Sequence, residues 1–153
     1  MTKRLLIQCI GSRYGGDDGL GPAVADRLRR LDLPDNVETQ EHWGEGTELM
    51  QHWTAADHVI LVDAARSASP PGTLHRFDAI EAPIPADLCI HSTHRFGVAE
   101  AVELARALGQ LPPRLTLIAV EGRDFAPGDE LSEPVAAAIE AVLDAILEET
   151  ALA

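Results

Sequence analysis

The chain has 153 residues, 46% of them hydrophobic and only 4% aromatic, so it is long enough for one domain whose core is built from Leu, Val, Ile and Ala. A formal net charge of −13 excludes functions that grip a phosphate backbone, which need clustered Lys and Arg, so no nucleic-acid partner is expected. No stretch approaches the ~18 apolar residues of a membrane span, and the apolar run after Met1-Thr2-Lys3-Arg4 is too short for a signal peptide and has no small-residue cleavage site behind it. Cys9 and Cys89 do not make a disulfide framework; a cytoplasmic protein with free thiols is expected.

Leu5 to Ile10 reads as a buried first strand, and Val24, Leu28 and Leu31 as the apolar stripe of the helix after it. Val37 to Glu41 is a short polar strand expected near a sheet edge. Thr47 is a candidate cap for a helix running to about Trp53. Val59 to Val62 is a continuous apolar run, the signature of a parallel strand buried on both faces. Thr73 to Phe77 is a short extended segment, and the proline-broken connection Ile80 to Pro85 leads to Leu88-Cys89-Ile90, expected as a further core strand. Val98 to Leu108 is a helix with Val98, Ala101, Val102, Ala105 and Leu108 on one face. Leu115 to Val120 is the next strand. Ser132 is placed to cap a last helix carrying Val135, Ile139, Val142, Ile146 and Leu147 at helical spacing. This alternation predicts an α/β three-layer sandwich, a mainly parallel central sheet with helices on both faces, spanning 1–153 as a single domain.

The turn between the first strand and first helix, Gly11-Ser12-Arg13-Tyr14-Gly15-Gly16-Asp17-Asp18-Gly19-Leu20-Gly21-Pro22, carries the chemistry. A glycine-rich turn of this kind usually cradles phosphate. Here Asp17 and Asp18 stand where a phosphate loop needs Lys and Ser or Thr, and their charge would repel it. Ionised carboxylates on a fixed loop suit a cation, although either Asp alone would also serve as a helix cap. In an α/β sheet, ligands bind outside the carboxyl ends of the strands. That edge would receive Asp17 and Asp18 after the first strand, Asp63 at the end of the central strand, and His91 and His94 after the Leu88 segment. An Asp closing an apolar strand needs a partner or water. His42, His52, His58 and His75 fit the plainer role of surface or hydrogen-bonding residues.

Gly11 to Gly21, then Val59-Ile60-Leu61-Val62-Asp63-Ala64, then Ser92-Thr93-His94-Arg95-Phe96-Gly97 resembles the nickel–iron hydrogenase maturation endopeptidases. Pro71-Gly72-Thr73, Ala105 to Pro112 and Leu131-Ser132-Glu133-Pro134-Val135 extend the resemblance over nearly the whole chain. It implies a metal-contacting cluster of Asp18, Asp63 and His94, acting as both catalytic and metal-recognising residues, with Asp17 the runner-up and pointing elsewhere, as a helix cap. It also implies the substrate: a hydrogenase large-subunit precursor that loses its C-terminal extension once nickel is inserted. Nickel would then arrive with the substrate, and the protein, expected to be a monomer, would hold no tightly bound metal of its own. Ser12 stands where that family usually has Asn, and Arg13 and Gly15 depart from its common apolar choices. His91 is additional to the pattern.

Two carboxylates and an imidazole suit a borderline ion such as Ni²⁺ or Zn²⁺. Neither an H-E-x-x-H nor a G-x-S-x-G is present to indicate a resident zinc or a serine nucleophile. The alternatives are a non-enzymatic nickel-checking or docking protein built on the same three residues, and a small-molecule hydrolase with its own metal.

Overall fold

The structure, a computed structural model, describes residues 3–88, 90 and 95–151. Its elements in chain order are β1 (Leu5–Ile10), α1 (Leu20–Arg29), β2 (Val37–His42), α2 (Gly46–Gln51), β3 (His58–Ala65), β4 (Leu74–Asp78), α3 (Val98–Ala107), β5 (Arg114–Glu121) and α4 (Glu133–Ala151). Five strands make one sheet in the order β2-β1-β3-β5-β4. The pairs β1–β2, β1–β3 and β3–β5 are parallel, and β4 runs antiparallel to β5.

The apolar runs of β1, β3 and β5 reflect burial on both sides. Alternate residues feed two separate cores. Ile7, Ile60, Val62, Ile118 and Val120 pack with Leu20, Val24 and Leu28 of α1 and Val135, Val142 and Ile146 of α4. Leu6, Val59, Leu61, Leu115 and Leu117 pack with Leu49 of α2 and Val98, Ala101 and Val102 of α3 on the other face. The expected three-layer α/β arrangement is therefore the one observed, and β2 sits at the edge as its polar pattern implied.

Several local expectations are corrected. Leu88 to Ile90 is not a strand of the sheet among the described residues. Ile90 makes only an isolated antiparallel bridge to Ala65, and the place beside β5 belongs to β4. Cys89 lies outside the described residues. The first helix stops at Arg29, leaving Leu31 exposed, and Leu108 and Leu147 likewise face outward. The cap of α2 is Glu45, whose carboxylate accepts from Thr47 N and Glu48 N, so Thr47 is a receiver and not the cap. His58 takes the hydrogen-bonding role of the two expected: it is buried with Nε2 3.0 Å from Thr116 Oγ1, and Thr116 Oγ1 in turn lies 3.2 Å from Glu149 at the amino-end side of the sheet. Cys9 is a free, fully buried thiol whose pKa burial pushes up to about 12, which keeps it protonated and unreactive. No helix among the described residues is long and apolar enough to cross a membrane.

The chain leaves β1 for α1 and β2 on one side, then returns to place β3 on the other side of β1. Its connections diverge at this switch point, and in sheets of this kind a ligand crevice lies there, beyond the carboxyl ends of β1 and β3. Close approach of α1 to β1 forms one wall. A Cβ at Gly21 would fall 2.2 Å from Ile10 O and 2.5 Å from Ile10 N, backbone atoms that cannot yield. Gly21→Ala should therefore lower unfolding free energy by roughly 3 kcal/mol, read as a reduced denaturant midpoint at unchanged m-value.

Candidate active site at the carboxyl edge

The residues between β1 and α1 fold into a tight loop ending in one 3₁₀ turn, Gly16–Gly19, with every residue of that turn buried. The chain folds back on itself at Ser12, whose N–H lies 3.2 Å from Asp18 O and 3.0 Å from Asp18 Oδ2. Gly11 is required for that return. Its φ of 148° lies outside the range side chains favour, and a Cβ there would fall 1.9 Å from Asp18 O. Arg13, where an apolar residue was the more familiar choice, ties the loop sideways: its guanidinium lies 2.9 Å from Asp26 on α1 and 2.7 Å from Glu41 on β2. Main-chain pairing of Gly11 N with His42 O continues the junction with β2.

Asp18 thus reaches the crevice from the β1 side, with 8% of its surface exposed. Asp63 reaches it from β3. The strand continues to Ala65, so Asp63 lies inside it instead of closing it, and is 1% exposed. It shares its face of the strand with Leu61 and Ala65, on the side of α2 and α3. Its Oδ1 accepts 2.8 Å from Ala64 N. Burial raises the Asp63 pKa well above the carboxylate range, and the negative charge of Asp18 adds to that rise, whereas the Ala64 N–H opposes it. The charge of Asp18 is therefore felt at Asp63. His94, the third expected member, and His91 lie outside the described residues. Among the described residues, no group of three His, Cys, Asp or Glu side chains is placed to hold a metal ion.

Asp17 has a different task. It is fully buried, and its Oδ2 accepts from Arg123 N (2.7 Å), Asp124 N (3.0 Å) and Ser132 Oγ (2.7 Å), while Oδ1 accepts from Ser132 N (2.7 Å). It points away, as expected, but it does not cap its own helix. It gathers donors from the loop between β5 and α4. Burial works to raise its pKa, and the hydrogen bonds outweigh that and hold it below the ordinary carboxylate value. Ser132 accordingly keeps the backbone role of a cap, its carbonyl accepting from Ala136 N, but its hydroxyl is turned to Asp17. A second lock missed in the sequence is Glu121, buried at the end of β5, whose Oε1 accepts from Ser67 Oγ at 2.9 Å. The visible signal was a lone Glu closing the apolar run of Leu115 to Val120.

A cleft of about 900 Å³ lies beside β2 at the amino ends of β1 and β2, lined by Leu5, Val37, Glu38, His52 and Ala56. It contains none of the candidate residues, and the chemistry is better sought at the carboxyl edge.

Asp63 has a stability cost with a definite sign. Its folded pKa is above its unfolded value, so between those two values the native state binds more protons than the unfolded state. Stability then falls as pH rises through that window. Asp63→Asn removes the cost and keeps an acceptor for Ala64 N. Its stability should match wild type near pH 3 and exceed it by at least about 1 kcal/mol, or roughly 2–4 °C in Tm, above the window. Thermal unfolding across pH reads this directly, and an Asn variant less stable than wild type at every pH would contradict it.

Comparison with known proteins places the chain in a family. The family model described as hydrogenase maturation protease matches residues 22–149, a span that takes in Asp63 and His94 and starts just after Asp18. The hydrogenase 2 maturation protease of Escherichia coli strain K12 is 32% identical over 146 residues, covering 94% of this chain and 88% of that protein. Among solved structures, the E. coli hydrogenase maturating endopeptidase HybD superposes with a TM-score of 0.80 at 30% identity, over 95% of this chain and 91% of that one. The hydrogenase 2 maturation peptidase of a Thaumarchaeota archaeon gives 0.72 at 31% identity, over 99% and 100%. The chain belongs to the hydrogenase maturation protease family, and it is a peptidase.

Proposed function

We propose that this protein is an endopeptidase that removes the C-terminal extension of a nickel–iron hydrogenase large-subunit precursor after nickel insertion, and that Asp18, Asp63 and His94 recognise the nickel carried by that substrate. The carrying observation is the meeting of two nearly buried carboxyl groups, Asp18 and Asp63, at the crevice where β1 and β3 diverge. Such a pair resists double ionisation unless a cation or a proton compensates it. A metal-loaded precursor would bring that cation. In the chain, His94 falls between Ile90, which bridges to Ala65 just beyond Asp63, and Gly97 at the start of α3.

The chemistry asked of the site is hydrolysis: water adds to the scissile carbonyl, the C–N bond breaks, and the leaving amine takes a proton. The substrate's nickel would supply positive charge next to the bond. Asp18 and Asp63 would hold that charge in a fixed place and thereby fix which bond is presented. Asp63 would release its proton to solvent as it engages the metal, since burial otherwise favours its neutral form. A peptidase with no closed ligand set of its own cannot act until the substrate completes it, which makes nickel insertion a condition of cleavage.

Asp18→Ala, Asp63→Ala and His94→Ala should each slow processing of a nickel-loaded cognate precursor by roughly 10³-fold or more. The Asp18 variant loses a bond from Ser12 N and about 1 kcal/mol of stability, too little to unfold the chain. The assay incubates wild type and variants with nickel-loaded and nickel-free precursor and reads product mass. Wild type should shorten only the loaded form. Equal cleavage of the nickel-free form would refute metal recognition, and no cleavage of either would refute the processing activity.

A further inference from the structure

We propose that Asp17 is a positioning residue for the processing reaction: by clamping the loop between β5 and α4 onto the acidic loop, it holds Asp18 facing Asp63 without itself touching substrate. This rests on the endopeptidase reading above and deepens it.

The clamp is denser than a cap requires. Three backbone N–H groups, of Arg123, Asp124 and Ser132, and one hydroxyl converge on the single Asp17 carboxylate. Buried backbone donors need partners, and this segment, lying between a strand and a helix, finds them in a side chain of the site loop. The main chain repeats the connection on either side. Asp17 N donates to Asp124 O at 2.8 Å, Gly16 N to Gly128 O at 3.0 Å, and Gly128 N to Tyr14 O at 2.9 Å. Gly15 and Gly128 form an isolated parallel bridge. The two loops are thus stitched along their length by main-chain bonds, with the Asp17 side chain at the centre of the seam.

Asp18 follows Asp17 directly within one 3₁₀ turn. Its backbone is set between the Asp17 anchor and the start of α1, and its carboxylate accepts from Ser12 N at 3.0 Å. Release of the Asp17 carboxylate would leave this turn held to the β5–α4 loop by main-chain bonds alone, and the adjacent Asp18 carboxylate would shift with it. Displacement of about 1 Å in a reacting constellation is enough to cost about 10²-fold in rate. A clamp that served only folding would lower stability and leave the rate of each folded molecule unchanged.

The test measures kcat and KM on nickel-loaded cognate precursor for the full chain. Asp17→Asn keeps the shape but sets an NH₂ against converging donors. It should lower kcat by roughly 10- to 100-fold, the range typical of groups that orient a ligating side chain, with KM within about twofold of wild type. Val142→Ala, a buried α4 substitution remote from the clamp, should lose stability yet keep wild-type kcat per folded molecule. Ser132→Ala removes a single O–H donor and should cost roughly two- to tenfold in kcat, and Ser132→Thr, which restores the donor, should recover it. If Asp17→Asn folds and turns over like wild type, or if its loss in kcat is matched by an equal rise in KM, the inference is overturned while the endopeptidase reading stands. If Asp17→Asn does not fold, the Ser132 pair decides, and an unchanged kcat in Ser132→Ala overturns it. Failure of wild type to cleave removes the endopeptidase reading and this inference with it.

Discussion

Two acidic side chains brought together out of water set the terms for the rest of this molecule. Asp18 and Asp63 are each almost wholly buried, and the charge of the first helps to drive the second toward its protonated form. Nothing in a hydrophobic core selects such a pair, since burying a charge without compensation is among the costliest things a fold can do. The sheet meets that cost by confining it to one place. The switch of direction between β1 and β3 leaves a crevice there, while the apolar runs on either side fill two complete cores.

Asp17 in the site loop and Asp63 in β3 have opposite fates. Asp17 is as inaccessible as Asp63, yet its hydrogen bonds from Arg123, Asp124 and Ser132 hold its pKa down. Asp63 accepts from its own following residue, Ala64, and burial prevails. The same chemical group is held ionised in one position and driven toward its protonated form in the other because of the donors around it. Arg13 adds a looser lateral tie to Asp26 and Glu41; it is partly exposed and contributes less per contact than the buried clamp.

The sheet strands β1, β3 and β5 were legible in the sequence because burial on both faces leaves a continuous apolar run that no other element requires. Leu88 to Ile90 imitates the same signal, but its apolarity reflects packing against Ala65 and the α3-side core, not a place in the parallel ladder. Leu31, Leu108 and Leu147 fit a helical period and still face solvent, because periodicity gives a stripe and not the point where a helix stops or the core runs out. Asp63 could be picked out because a carboxylate in an apolar strand is costly to bury unless a cation, a proton or a set of donors compensates it, whereas the choice of Asp18 over Asp17 comes from the family resemblance. The roles of Asp17, Ser132 and Glu45 were not legible in the same way. A carboxylate and a hydroxyl are read as caps from local spacing alone, whereas Asp17 takes its donors from more than a hundred residues away in the chain.

On the proposed reading, the discomfort of the acid pair is itself the means of discrimination. A proton would quiet Asp63 until a better cation arrived, and the free enzyme would then need no metal of its own. A precursor without nickel would offer the pair nothing that the proton does not already provide. A precursor with nickel would exchange the proton for a dication, and only then would the crevice hold a fixed positive charge beside the bond to be cut. The clamp through Asp17 matters most at that moment: a carboxylate free to swing could follow a misplaced metal, whereas one held in a stitched loop accepts only a metal presented in the right position.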